Sequence, residues 1–227
     1  MTITNKLSTV HTTAKANRDI KYIVIHYTAG VTSKAGSAVN TADYFRTTST
    51  QVSSDFIVDD TFVVQYNGDI KNRYSWHCGG SKYNTKGGSL YGKCTNSNSI
   101  GIEICCMNST GKMQNANDKS YSFTDAAVAN AEWLVKKLMA EYNIPAERVV
   151  RHYDVTGKPC PGIIGWNADS GSEAKWVAFK QAVSGGAVSA SAPKYYVQVG
   201  AFSSRENAEN YLDEVKKTYP DAFIKVM

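Results

Sequence analysis

The sequence predicts an α/β (α+β) fold: a single mixed β-sheet flanked by helices, followed by a small C-terminal βαβ unit. Three observations predict it. β-Branched and aromatic runs interleave with segments whose apolar residues recur at helical spacing. The length, 227 residues, suits one medium domain plus something small. A run of small residues from Ser184 to Pro193 then breaks the composition, as a flexible linker does. The expected division is a main domain at 1–183, a linker at 184–193 and a tail at 194–227.

In chain order, Asp19 to Thr28 (DIKYIVIHYT) reads as a strand. Ala38, Val39, Ala42 and Phe45 mark a helix. Phe56–Val58 and Phe62–Val64 flank Asp59-Asp60 as a hairpin. Residues 66–99 are rich in Gly, Ser, Asn and Tyr with little periodicity, and loops that long usually build sites. Ile100 to Cys106 is the next strand. Ser122-x-x-Asp125 then opens a helix with the stripe Ala127, Ala131, Leu134, Val135 and Leu138. A short strand ends at His152, and Ser170-x-x-Glu173 caps a last helix bearing Trp176, Phe179 and Val183. In the tail, Tyr195–Phe202 and Asp221–Val226 read as strands. Between them Ser203-x-x-Glu206 caps a helix with Ala208, Tyr211, Leu212, Val215 and Tyr219 on one face. A unit of roughly this size holds no stable core alone.

Composition excludes several classes. With 42% hydrophobic and 20% charged residues, the chain is neither disordered, collagen-like nor coiled coil. No apolar run approaches the ~20 residues of a membrane span, so no membrane partner is expected. Met1–Lys6 lacks the pattern of a secretory signal, so synthesis in the cytoplasm is expected. The net charge of +5 lies in the first 192 residues without a dense basic block. It permits contact with a polyanion, but no nucleic-acid motif accompanies it. Five cysteines, at 78, 94, 105, 106 and 160, leave at least one thiol unpaired. Whether Cys78 and Cys94 bridge across the long loop stays open.

The chemistry concentrates on few residues. Of four histidines, His26 closes the strand IVIHYTAG and His152 the strand VVRH, and eight residues on Cys160 sits in Lys-Pro-Cys-Pro-Gly. Two imidazoles and a thiolate on such supports make a three-ligand zinc set with a fourth position open for water. Taken singly, each reads as a strand cap or filler; the combination points to Zn2+. A hydrolytic zinc needs a base near its water and a donor for the oxyanion. Glu103 is the lone carboxylate in the apolar run Ile100 to Cys106, facing either a metal-bound water or solvent by alternation with Ile102 and Ile104. Lys158, two residues before Cys160, is the candidate donor, against the plainer reading of a solvated loop lysine.

These stretches carry a family resemblance. Ile23–Gly30, Ser75-Trp-His-Cys-Gly79, Ser99–Cys105 and His152-x7-Cys160-Pro-Gly162 stand in order. They resemble the zinc-dependent N-acetylmuramoyl-L-alanine amidases of the type 2 class, which share a fold with peptidoglycan recognition proteins. The resemblance implies zinc ligands at His26, His152 and Cys160, a catalytic carboxylate at Glu103 and a catalytic lysine at Lys158. It places His77 beside the substrate groove, and Trp76, Tyr27 and Asp55 complete the substrate contacts it implies. One departure is Ser53-Ser54-Asp55-Phe56, where Asp55 stands at a position the family often gives to histidine. The tail is similar to one half of the SPOR fold, a peptidoglycan-binding module.

The function so implied is hydrolysis of the amide between N-acetylmuramic acid and L-alanine in peptidoglycan, by a phage or prophage endolysin that is holin-released or acts extracellularly. The alternatives are a non-catalytic peptidoglycan-binding protein of the recognition type and a cysteine peptidase with Cys160 as nucleophile. A homodimer through residues 195–227 is expected, because a lone βαβ unit leaves a sheet edge unpaired.

Overall fold

The structure is a computed structural model that describes residues 2–83, 87–185, 200 and 202–217. Two compact units, Met1–Val188 and Ser189–Met227, divide the chain. The first begins with strands β1 (Ile3–Asn5), β2 (Thr12–Ala14) and β3 (Tyr22–Tyr27), then helix α1 (Ser37–Thr47). Strands β4 (Phe56–Val58), β5 (Val63–Gln65), β6 (Arg73–Ser75), β7 (Ser99–Ile104), β8 (Met107–Asn108) and β9 (Tyr121–Ser122) follow. Helix α2 (Asp125–Tyr142), strand β10 (Val149–Arg151) and helices α3 (His152–Thr156) and α4 (Ala174–Val183) complete it. The second unit contains α5 (Arg205–Lys216).

The central sheet has six strands in the order β1-β5-β4-β7-β3-β10 and is mixed, as the sequence predicts. Strand β3 runs parallel to β7 and β10, β4 is parallel to β7, and β4 pairs antiparallel with β5 across the Asp59-Asp60 turn. The middle strands read as nearly unbroken apolar runs because both faces are covered. On one face Ile23, Ile25, Ile100, Ile102 and Ile104 pack with Leu134 and Leu138 of α2 and Phe179 of α4. Full burial of each such side chain stabilises by roughly 1.5–3 kcal/mol. On the other face α1 sets Ala38, Ala42 and Phe45 over Ile57 and Val64. The 66–99 loop sets Cys78 and Cys94 over Val24 and Val150. The polar side chains of β3 and β7 lie on this second face.

That loop is held by a buried cation. The Arg18 guanidinium donates to the carbonyls of Ile70 (2.9 Å), Arg73 (2.5 Å), Asn96 (3.2 Å) and Ser97 (3.2 Å), and also to that of Ser99. A loop without periodicity is thereby fixed through its backbone oxygens.

Several local expectations are corrected. The α2 cap is Thr124, whose hydroxyl accepts from the Ala127 N–H, while Ser122 lies in β9. Ser170 pairs with Asn167 in its own short turn, so α4 starts after Glu173 without a side-chain cap. Ser204, not Ser203, precedes α5. His152 opens α3 rather than closing a strand, since the Asp154 carboxylate accepts from the Arg151 N–H and turns the chain there. Strand β7 stops at Ile104, and Cys105 and Cys106 turn into opposite clusters. The short β1 and β2 carry too few apolar residues to announce themselves. The expected tail strand 221–226, and all of 195–202 except Gly200 and Phe202, lie outside the described residues.

Candidate metal centre

The carboxyl ends of parallel strands are where α/β sheets place their sites. His26 is the penultimate residue of β3, Glu103 the penultimate residue of β7, and His152 follows directly on β10. The Cys160 loop is tied to α3 by the Tyr153 N–H donating to the Cys160 carbonyl (3.0 Å). The peptide bond Cys160–Pro161 is cis.

The donor atoms of His26, His152 and Cys160 all lie within 4.8 Å of one another, and all three residues are buried. Cys160 Sγ is 3.6 Å from His26 Nδ1, and the two imidazole rings stand 4.8 Å apart at 68°. Tetrahedral zinc with ordinary Zn–S and Zn–N bonds separates its sulfur and nitrogen ligands by about 3.6 Å. The protonation states also suit a cation. Burial, then His152, His77 and Lys158, hold His26 well below the usual imidazole range. Burial and Lys158 push His152 down to about 3. Both imidazoles therefore keep a free lone pair at neutral pH, as ligation requires. Burial and then Glu103 push the Cys160 thiol up to about 12, opposite to the shift of an activated nucleophile. The residues present fit zinc.

Glu103 is half-buried. Its Oε2 is buried with no hydrogen-bond partner among the described residues. Burial raises its carboxyl to about 8, partly offset by Lys158 and His77. Lys158 is exposed, and its charge is felt at Glu103, His26, His152 and Cys160.

Of the residues expected to contact substrate, Asp55, His77 and Tyr27 are buried and Trp76 is half-buried. His77 is buried at 7% exposure, its Nδ1 3.1 Å from His26 Nε2 and its Nε2 3.2 Å from Ser99 Oγ, so both nitrogens are taken up within the fold. Asp55 is fully buried and accepts from Asn67 Nδ2 (2.7 Å), Ser75 Oγ (2.9 Å) and the Gly101 N–H (2.8 Å). It braces β7 from below instead of lining a wall. Trp76 donates its indole N–H to Thr13 Oγ1 (2.8 Å) and packs on His11. Tyr27 is buried edge-on against Tyr121, with its hydroxyl where a side chain at Gly162 would lie. Sequence reasoning gave Ser99 and Gly101 no role; their only signal was period-two spacing ahead of Glu103.

A His-His-Cys group at the carboxyl ends of a helix-flanked mixed sheet, with a carboxylate on the adjoining strand, is a donor set that fits a single metal ion. The chain belongs to the N-acetylmuramoyl-L-alanine amidase family, whose model matches residues 16–163, and a SPOR domain model matches residues 191–227. It is 36% identical over 140 residues to the amidase CwlH of Bacillus subtilis strain 168, covering 62% of this chain and 46% of that one. It is 36% identical over 165 residues to XlyA of the same organism, covering 73% and 44%. The chain thus spans about half the length of the curated relatives it matches. Among solved structures it resembles the catalytic domain of XlyA at 30% identity and TM-score 0.54, over 81% of this chain and 99% of that one. PlyL is similar at 31% identity and TM-score 0.57, over 83% and 100%.

Proposed function

We propose that this chain is a zinc-dependent N-acetylmuramoyl-L-alanine amidase, hydrolysing the bond between the lactyl carbonyl of N-acetylmuramic acid and L-alanine in peptidoglycan. The observation that carries it is the buried donor set of His26, His152 and Cys160 with the unpartnered Glu103 carboxylate beside it. His26, His152 and Cys160 would hold the zinc, which when bound would supply a Lewis acid for the scissile carbonyl and for a water whose pKa it would lower to about 7. Glu103, on the strand beside His26, would take the proton of the attacking water and return it to the leaving amine. The Lys158 ammonium faces the oxyanion that develops as the carbonyl becomes tetrahedral.

The match of residues 191–227 to the SPOR model supports wall binding by the tail. Among the described residues no helix is long and apolar enough to cross a membrane. Action on the cell wall fits the similarity to the amidases CwlH and XlyA. The test is zinc stoichiometry measured alongside release of free L-alanine N-termini from purified wall. One zinc per chain with no amine released would overturn the assigned bond.

A further inference from the structure

Behind the donor set runs a line of buried polar groups that chemistry at the amide does not use. His26 Nε2 is 3.1 Å from His77 Nδ1, His77 Nε2 is 3.2 Å from Ser99 Oγ, and Ser99 Oγ is 2.6 Å from the Thr95 carbonyl oxygen. His26, His77 and Ser99 are 1%, 7% and 0% exposed. The end of the line fixes its direction. A carbonyl oxygen only accepts, so the Ser99 hydroxyl donates to Thr95. Ser99 Oγ then accepts from His77 Nε2–H, and in the neutral ring this leaves His77 Nδ1 as a bare lone pair. That lone pair accepts from His26 Nε2–H. His26 is left with its own lone pair on Nδ1, the nitrogen 3.6 Å from Cys160 Sγ.

We propose that His77 and Ser99 are positioning residues, forming with the Thr95 carbonyl a proton-ordered chain that locks His26 in the tautomer and rotation presenting Nδ1 to a metal. The proposal rests on the zinc reading of the site for its consequence, but the hydrogen-bond order stands in the metal-free protein.

The backbone is shaped for this chain. A Cβ at Gly101 would come within 2.6 Å of His77 Cγ and 2.9 Å of its Nδ1, so only glycine lets the ring lie flat on β7. Ser99, Gly101 and Glu103 alternate along β7 on one face, in register with Tyr22, Val24 and His26 of β3. One strand thus carries the anchor of the chain, the seat of its middle ring and the carboxylate beside the ligand. The Asn96 side-chain oxygen accepts from the N–H groups of His77 (3.1 Å) and Cys78 (2.8 Å), which fixes the backbone bearing the ring. The Cys78 thiol lies 3.6 Å from Ser99 Oγ. Partners of this kind hold a metal-ligating imidazole in orientation and typically change metal affinity by about 10–100-fold when removed.

Two readouts on the full chain test this. In the metal-free protein, long-range proton–nitrogen correlation spectra should show His26 and His77 both neutral and both protonated at Nε2. In competition with a chromophoric chelator, His77→Leu and Ser99→Ala should each bind zinc about 10–100-fold more weakly than wild type. His77→Gln, whose amide accepts at oxygen and donates at nitrogen, should restore most of the affinity that His77→Leu loses, and Ser99→Thr should keep it. Ser99→Ala removes one atom from a folded strand and serves if His77→Leu does not fold. His26 protonated at Nδ1, His77 doubly protonated, or Ser99→Ala binding zinc as tightly as wild type would overturn the chain. A wild type with the expected tautomers that takes up no zinc would overturn the zinc reading and leave the chain standing.

Discussion

His26 and Glu103 stand directly opposite one another on adjacent parallel strands, paired in register on the same face of the sheet. A ligand and a candidate base are thereby held by two rigid backbones, so neither needs a loop to find its place. Among the described residues the buried Oε2 of Glu103 has no hydrogen-bond partner.

Glu103→Gln is therefore expected to keep metal and fold while losing turnover on the order of 10²–10⁴-fold, the range of a general base. Lys158→Met, which removes an exposed charge, should cost about 10²–10³-fold as an oxyanion donor does. Both are read from initial rates of amine release at fixed zinc occupancy. Near-normal turnover in Glu103→Gln places the base elsewhere.

The donor set makes its own prediction. Cys160 is the only sulfur of the set, and its buried thiol must give up its proton to a metal. Cys160→Ala should drop zinc from one per chain to a small fraction, as measured by elemental analysis after dialysis against trace metal. Full occupancy in that variant contradicts the ligand assignment.

The parts legible in sequence were those with a local cause. Apolar period and turn residues mark β3, the β4–β5 hairpin and α2, and strand-end histidines with a proline-framed thiol mark the donor set. What could not be read was set by non-local hydrogen bonds. Asp55 looks like a groove residue until its three donors, from residues 67, 75 and 101, are assembled around it. His77 sits beside an aromatic in sequence, yet its partners are His26 and Ser99. Nothing in a one-dimensional pattern distinguishes a histidine that touches substrate from one that holds a ligand.

Asp55 yields a stability prediction for that reason. Asp55→Ala strands the Gly101 N–H, the Ser75 hydroxyl and the Asn67 amide in a fully buried site. Each orphaned group costs about 1–3 kcal/mol, for a loss on the order of 3–5 kcal/mol in urea unfolding. A change under about 1 kcal/mol would mean that water reaches the site and that the carboxylate is not structural.

Lys180 gives the pH dependence. Its ammonium donates to the carbonyls of Val149 (2.5 Å) and Ala146 and lies over the Trp176 ring. Burial lowers it to about 8, with Asp154 and Glu147 pulling the other way. The unfolded chain keeps this proton up to about pH 10.4. Between about 8 and that value the unfolded state binds more protons, so the lysine's contribution to stability rises with pH, by at most about 1.4 kcal/mol per unit. Below the folded value its burial cost is fully present. Unfolding of wild type and Lys180→Met at about pH 7.5 and about pH 10 should therefore show the difference shifting in favour of wild type at the higher pH. A constant difference refutes the depressed value.

The last prediction concerns the tail. Helix α5 places Ala208, Tyr211, Leu212 and Val215 on one side, yet none of its residues is fully buried, and Tyr211 is 41% exposed beside Phe202. An apolar stripe whose described residues are at most half-buried favours a cover. A second copy of the same unit offers one, since an isologous pair buries the same stripe twice and two-fold pairing is the commonest assembly. Three or four such side chains, at roughly 1.5–3 kcal/mol each when fully buried, are enough to offset a substantial part of the cost of association. The full chain is thus expected to sediment as a dimer at micromolar concentration. Leu212→Asp, which sets an unpaired carboxylate in the middle of the stripe, should sediment as a monomer with the main domain's zinc content unchanged. A monomeric wild type at the same concentration refutes pairing through the tail.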